Sequence, residues 1–572
     1  MGIENLTFAD IQHLIAVKIC LVAFIVIGFI LIYYRAKPWF FLSLTGMLCA
    51  AAYLIFLDDL GLLFWGLQGD EVTVSAMYTT VARVGFFSDF AYHGLPPFYP
   101  PLYFWLFGFL GRLCGWNGLI MTKVGVAAAY LVLPLLMYGG QRLYWRFNAD
   151  VKDRPGMIAF FLAPLLLLVL IDHDAFISKP YEVLAAAAAI LWSVYLVLDV
   201  RGPIWHWRRA VIFGAAGGLI FMTYYLWLIL VAIGLAFYGL TVAKSTQLKY
   251  YTRLAAVAII SLVVALPYLG PLLYSYARWG AENWQAAFFL PGGLAANFWI
   301  FQLISWKSLL MLGGIFVLFF YRRQTYIRIL VCLLAAAYTW WLMGLVTLGI
   351  WQVPFQEFKG FMFFDRTILA LALAFGVERV WLYFLPRLKN PVAPAAVLAL
   401  AWCLLGVNLF FGGFTDAPDT QARRVQSRAM RPEVAPLVVF LQSDAASWRQ
   451  LTLQSGINEI AAVVPLNSFI YFNQHNSHPA ANFSQRYYYV RTLAAAKNSQ
   501  EFYELCGQAP FGAIERLILF HQAGKYYVFF NLDEMIKGIK EEAVEIDDAL
   551  VSEEYFTKRF DQKGFVVWEK KL

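Results

Sequence analysis

Residues 69–105 read GDEVTVSAMYTTVARVGFFSDFAYHGLPPFYPPLYFW. The stretch interrupts a chain built of apolar runs, and it carries a paired acid, a short helical pattern and two Pro-Pro steps. Val74, Met77, Tyr78 and Val81 fall at i, i+3, i+4 and i+7, which predicts a helix over 72–84 with one apolar face. Pro100-Pro101 leads into the apolar residues 102–111, too few for the roughly 20 that a helix needs to cross a bilayer. A helix of that length, entered by proline, fits along the membrane surface. Counted as a crossing, it would also carry the basic residues of 142–154 to the side that basic loops avoid. Residues 58–116 therefore read as one long loop on a single side of a membrane.

The rest of the chain follows the same logic. It is 61% hydrophobic and 14% charged, with 20 Trp and 32 Tyr and a mean hydropathy of +0.63. No water-soluble core hides that much apolar surface, whereas repeated spans do. Twelve spans are expected, at 11–33, 38–57, 117–138, 156–171, 183–200, 210–222, 225–243, 254–275, 301–320, 329–349, 367–384 and 394–412. The pair 210–222 and 225–243 reads either as a broken helix or as a short hairpin. Every second connection is basic: those six carry seventeen Lys and Arg, the alternate ones six. The bias toward basic residues on the cytoplasmic side then places 58–116 and both termini outside. The net charge of +8 is spread over these short clusters, so it does not indicate nucleic acid. The acidic start MGIENLTFADIQ lacks a basic leader, so the first apolar run is expected to be retained. The six Cys form no CxxC and read as small buried hydrophobes.

Spans stop after residue 412. Residues 413–572 are more polar, with strand-like runs at 514–520 and 525–530, and read as a soluble α/β or α+β domain of ordinary size. The expected division is thus 1–412 for the membrane part and 413–572 for an outer domain.

Asp70 and Glu71 begin the predicted helix, right after Gly69. A helix start favours carboxylates, because its N–H groups are unpaired and its dipole end is positive. The plain reading is a capping pair of acids; the functional one is a general base that takes a proton from a hydroxyl. Asp172-His173-Asp174 follows another span on the same side and can orient an acceptor or help bind a divalent cation. That run alone does not supply three ligands, so a metal would need Asp70 or Glu71 as well. Outward cations are few, and Arg83, Lys179, Arg278, Lys359 and Arg366 of the six lie near predicted span ends. Arg holds phosphate with a planar fork of donors, which favours Arg278 and Arg366 as clamps, then Lys359. Tyr92, Tyr99, Trp105, Trp279, Trp284 and Trp351 can stack on a sugar, although Trp is also the ordinary interfacial anchor. His93 is a further polar candidate in the first loop. His475 and His478 have no third ligand near them in sequence.

The stretch 69–105 resembles the first outer loop of the GT-C glycosyltransferases, polytopic enzymes that use polyprenyl-phosphate sugars. Within them it is most similar to the arabinofuranosyltransferases that prime arabinan on cell-wall galactan, and LPPFYPPLYFW resembles that family's entry to its surface helix. GAAGGLIFMTYYLWLILVAIGLAFYGL (214–240) is a weaker echo of a Gly-rich helix pair, with Tyr224 where relatives carry Lys. The resemblance implies an all-α polytopic GT-C fold in a bacterial inner membrane, with its site on the periplasmic side. It implies inverting transfer of D-arabinofuranose from decaprenyl-phosphate-arabinofuranose to a glycan or a pilin Ser/Thr hydroxyl. Asp70 would be the base and Glu71 its helper, with no cofactor required. Aminoarabinose transfer to lipid A and mannose transfer to protein are the alternatives within the class. A transporter would place polar residues mid-span and show inverted repeats, and neither is seen here.

Overall fold

The computed structural model describes residues 8–57, 61–64, 66–147, 155–202, 205–282, 305–353, 356–388, 393–444, 448–534 and 538–571. Trp284, Lys152, Arg154, Lys389 and the start of the span expected over 301–320 lie outside them.

The membrane part is a helix bundle: α1 (Phe8–Tyr33), α2 (Pro38–Phe56), α3 (Asp70–Arg83), α4 (Leu102–Cys114), α5 (Gly118–Phe147), α6 (Met157–Leu170), α7 (His173–Ser178), α8 (Pro180–Val200), α9 (Trp207–Leu240), α10 (Lys244–Trp279), α11 (Trp306–Phe320), α12 (Thr325–Trp351), α13 (Phe364–Leu388) and α14 (Ala393–Leu409). Among the described residues, eight helices are long and apolar enough to cross a membrane, and four shorter apolar ones accompany them, including α4. Their outer faces carry rows such as Ile15, Ile19, Val22 and Val26 on α1 and Ile259, Leu262, Val263 and Leu266 on α10, all exposed. Rows of that size would not persist against water; lipid solvates them. Cys20, Cys114 and Cys403 lie on such exposed faces, so only Cys49, Cys332 and Cys506 are the buried hydrophobes the sequence suggests.

The ambiguous pair forms one helical element, α9, broken at Tyr224, where the backbone turns extended (φ −165°, ψ 103°). Arg209 near its start pairs with Asp199, and Tyr238 near its end accepts from Arg201 at 2.6 Å. Both ends of α9 therefore meet the same end of α8, and the element is a helical hairpin with Tyr224 at its tip. Arg253 joins them, donating to the Gly202 carbonyl at 2.9 Å, so the basic connections gather at the end of the bundle opposite α3 and α4.

Residues after 413 form a seven-stranded mixed sheet with short helices. β1 (Leu451–Gln454) pairs in parallel with both β2 (Asn467–Ser468) and β3 (Arg516–Gln522), and β3 continues antiparallel to β4 (Lys525–Glu534) and β7 (Phe565–Lys570), which pair with β5 (Gly538–Asp547) and β6 (Phe556–Gln562). On β4 the period of two is plain: Tyr526, Val528 and Phe530 face the core, while Tyr527 and Phe529 face out. This region does not stand apart from the bundle. α15 (Asn458–Val463) packs on α3, and Ser75 and Thr79 both donate to the Ala462 carbonyl, at 2.8 and 3.2 Å. Val434, Ile460, Tyr471 and Val567 belong to the same buried cluster as the membrane helices. The helix expected to bury one face consequently buries every residue from Glu71 to Ala82. Its polar side meets protein rather than water.

Candidate active site

Gly69 takes φ +55°, a conformation a side chain disfavours, and so turns the chain into α3 with Asp70 in its first turn. Pro180 opens α8, which puts Lys179 and Glu182 on adjoining turns. The 3₁₀ turn Glu357–Phe361 supplies Lys359. These segments converge into two lysine–carboxylate pairs. Lys179 Nζ lies 2.8 Å from Asp70 Oδ2, with 16% and 32% of the side chains exposed. Lys359 Nζ lies 2.9 Å from Glu182 Oε1, with 3% and 0% exposed. Burial pushes the Asp70 carboxyl up, but Lys179, Lys359 and His475 outweigh it and hold Asp70 below the usual carboxylate range. Burial opposes the charge on Lys179, yet Asp70, Glu182 and Tyr99 raise it overall. The pairs therefore form one network that keeps Asp70 ionised and Lys179 cationic.

An apolar groove of 460 Å³ opens beside this network. Its walls are Phe98–Pro100 of the first loop, Phe221, Tyr224 and Tyr225 at the hairpin tip, Tyr268, Leu272 and Tyr276 on α10, and Pro479 from the C-terminal region. Tyr268 fixes the wall by donating to the Phe98 carbonyl at 2.7 Å, and Lys359 sits 5.7 Å from the centre of the Tyr224 ring. The groove's wall meets the network at Tyr99, on which the Asp70 and Lys179 charges act, and at Tyr224, beside Lys359.

The remaining sequence candidates divide. Tyr99 lines the groove and feels the Asp70 and Lys179 charges, and burial raises its hydroxyl. Asp172 belongs to a second polar group: Arg366 Nη1 at 2.8 Å and Lys307 Nζ at 3.1 Å hold it, and despite burial these cations lower its carboxyl. The adjacent Asp365 accepts the Arg366 backbone N–H at 2.6 Å. Asp174 faces Arg423 at 3.8 Å. His173 turns inward, with Nδ1 2.9 Å from the Tyr130 hydroxyl; burial pushes it down to about 3, so the ring stays neutral. Glu71 is 2% exposed, and its charge acts on Tyr53. Arg83 ends α3, about 20 Å from Asp70 by helical rise. His93 is drawn to the C-terminal region, its Nδ1 2.9 Å from the Trp448 carbonyl, and burial pushes it down to about 4. Arg278 is exposed and lies 4.7 Å from the centre of the Trp279 ring. Tyr92 is buried between Ser477 and the Tyr471 N–H, and Trp105 donates to the Phe86 carbonyl. Trp279 and Trp351 are exposed. Among the described residues no three His, Cys, Asp or Glu side chains gather where they would hold a metal.

Sequence reasoning missed Glu182, Lys307 and the His475–Asp533 pair, in which Nδ1 and Oδ2 are 3.1 Å apart. Glu182 did leave a signal: an acid at the head of an apolar span is costly unless paired.

The family described as arabinofuranosyltransferase N terminal matches residues 10–352. The chain is 23% identical over 524 residues to the galactan 5-O-arabinofuranosyltransferase of Mycolicibacterium smegmatis, covering 86% of this chain and 81% of that protein. Its fold is similar to that of ArnT from Cupriavidus metallidurans, with TM-score 0.51 in the apo state and 0.50 in the form bound to undecaprenyl phosphate. Either superposition covers 93% of this chain and 98% of that one, at 15% identity. The family match spans well over half of the 572 residues, so the chain belongs to the arabinofuranosyltransferase N-terminal family and is a polytopic membrane glycosyltransferase of the GT-C class.

Proposed function

We propose that this enzyme transfers a D-arabinofuranosyl residue from a polyprenyl-phosphate donor to an acceptor hydroxyl at the periplasmic face of the inner membrane, with inversion at the anomeric carbon. One observation carries the reading: Asp70, held ionised and a third exposed, pairs with Lys179, and the charges of both act on Tyr99, which lines an apolar groove. A polyprenyl tail has no reason to leave an apolar channel, and its phosphate needs cations at the channel's end. The relative that acts on galactan supports arabinofuranose as the sugar, and the ArnT complex with undecaprenyl phosphate supports the donor class.

In this reading the arriving phosphate takes Lys179 from Asp70, with Lys359 behind it. That exchange frees the carboxylate to accept the hydroxyl proton as the acceptor oxygen forms its bond to the anomeric carbon. The bond from that carbon to the phosphate oxygen breaks, and its electron pair leaves with the phosphate, next to the lysines. Asp172, Arg366 and Lys307 are candidates to seat the acceptor, a cell-surface glycan or a pilin Ser or Thr.

The test is a transfer assay with purified protein, offering decaprenyl-phosphate-arabinofuranose beside polyprenyl-phosphate aminoarabinose and mannose. Galactan oligosaccharide and a pilin peptide serve as acceptors. Arabinose transfer alone is the expected result; exclusive use of another sugar overturns the assignment.

A further inference from the structure

At the end of the bundle where the basic connections gather, a recess of 440 Å³ lies among five membrane helices. Ile32 on α1, Pro38 on α2, Phe161 on α6, Trp381 on α13 and Leu398 on α14 contribute to its walls. Arg35, in the turn between α1 and α2, is the one charged side chain among the described residues that line it. The volume falls within the range of small-molecule pockets, about 300–1,000 Å³. About 22 Å of α13, by helical rise, separates Trp381 from Arg366, so the recess is not part of the groove near Asp70.

Arg35 holds this place against its backbone preference. It takes φ +50°, and the Ala36 N–H just after it donates to the Leu31 carbonyl at 2.9 Å. That is the closing turn of a helix in which glycine is favoured, because a side chain is disfavoured in the left-handed region. Among the described residues the Arg35 guanidinium makes no ion pair and no side-chain hydrogen bond. An unpartnered guanidinium offers its whole fork of donors to an anion. Lys37, two residues on, is exposed and adds a second cation. The charge of Glu378, next to Val377 of the recess wall, is met at the start of α6, where the Gly156, Ile158 and Ala159 N–H groups donate to it.

We propose that this recess binds an anionic membrane phospholipid, with an acyl chain among the apolar side chains and the phosphate on Arg35. The α1–α2 turn is one of the six basic connections, so the recess opens to the leaflet that basic residues face, where anionic headgroups attract them. Basic pockets between membrane helices on that side suit such headgroups. Trp381 adds the amphipathic ring that settles at the level of the headgroups. A zwitterionic lipid would bring its own cation toward Arg35 and Lys37, which favours a lipid of net negative charge. A polyprenyl-phosphate donor is a poor occupant, because its phosphate belongs at the other end of the bundle, beside Lys179. The lipid site goes beyond the transfer reaction and does not depend on which sugar is moved.

The experiment uses the full-length protein in a neutral detergent, stripped of co-purified lipid. Bound lipid is read by native mass spectrometry, and its effect by the thermal unfolding midpoint. The probes are dioleoylphosphatidylglycerol, dioleoylphosphatidylcholine, dioleoylglycerol and undecaprenyl phosphate. Phosphatidylglycerol should raise the wild-type midpoint by at least about 3 °C, and the phosphatidylcholine and dioleoylglycerol shifts should be less than about half of that. R35G should lose the phosphatidylglycerol shift and the bound lipid, yet keep or raise the lipid-free midpoint, because glycine suits φ +50°. A merely structural Arg35 predicts the opposite, a lower lipid-free midpoint with the shift intact. A395F fills the recess while leaving Arg35 in place, and it should also lose the shift; it decides the matter should R35G fail to fold. Equal shifts from phosphatidylglycerol and phosphatidylcholine in wild type overturn the proposal, as does a phosphatidylglycerol shift that survives in both variants. A shift from undecaprenyl phosphate alone, lost in R35G, also overturns it and gives the recess to a polyprenyl lipid.

Discussion

The two lysine–carboxylate pairs share chemistry and differ in access. Lys359–Glu182 is sealed, at 3% and 0% exposed, whereas Lys179–Asp70 is partly open, at 16% and 32%. Taking two charges out of water costs more than their attraction returns unless the geometry is good, so a sealed pair stays fixed. It also pins the 3₁₀ turn of Lys359 to the head of α8. An open pair loses little when a substrate group replaces one partner. The first pair therefore holds the site's frame, and the second is the one that chemistry can exchange.

The sharpest way to break this contrast is to neutralise each carboxylate in turn. Asp70→Asn should lower transfer by about 10²–10⁴-fold, the range of a lost general base, while the purified protein keeps its thermal unfolding midpoint. Glu182→Ala should do the reverse first. It strands the Lys359 ammonium in a dry site, at about 3–5 kcal/mol of stability, read by chemical unfolding in detergent. The double change Glu182→Met with Lys359→Met should recover most of that loss, since an apolar pair of similar volume suits the same space. A mild Glu182→Ala, or a Lys359→Met that leaves activity and folding intact, would put both pairs in one class.

The same contrast of open and sealed separates two imidazoles in one loop. His475 is partly exposed and paired with Asp533; His478 lies between the Phe98 and Tyr276 rings, its Nδ1 accepting the Ala480 N–H at 2.9 Å. Burial lowers His478 from 6.5 to about 3. A depressed histidine takes up its proton more readily when unfolded, so its contribution is full above 6.5 and shrinks as pH falls toward 3. Between pH 7 and pH 5 the protein should lose up to about 2 kcal/mol from this group. His478→Asn keeps an acceptor for Ala480 and should flatten that part of the slope.

Most of the fold was legible because lipid is a strict solvent: it demands long apolar helices and displaces basic residues to one side. The α9 hairpin was legible only as an alternative, since a two-helix hairpin and a broken helix have the same apolar pattern. Individual candidates were visible where outer loops carried them, Asp70 and Tyr99 in 58–116 and Lys179 in the next outer loop. Their pairing was not. Glu182 and Lys359 are 177 positions apart, and no local period connects them. The roof over α3 was also hidden, because Ser75 and Thr79 look like a solvated face until Ala462 is placed against them. For the same reason the burial of Glu71, read from sequence as the helper of Asp70, was hidden.

The smallest expected effect tests exposure itself. Arg278 was attractive because its fork suits phosphate and it sits near the end of a span. In the structure it is exposed, stacks on Trp279, and among the described residues reaches no closer to a hydrogen-bonding side chain than the Tyr274 hydroxyl at 3.5 Å. A cation in that position interacts through water and is screened over about 8–10 Å at ordinary salt. Arg278→Ala should therefore change the donor KM by less than about twofold and stability by within about 0.5 kcal/mol. Lys179→Met, by contrast, should raise the donor KM by at least about tenfold, as expected for loss of a phosphate contact shielded from solvent. If Arg278→Ala weakens the donor as much as Lys179→Met does, the phosphate lies farther out toward α10, and the open pair is not where the leaving group is held.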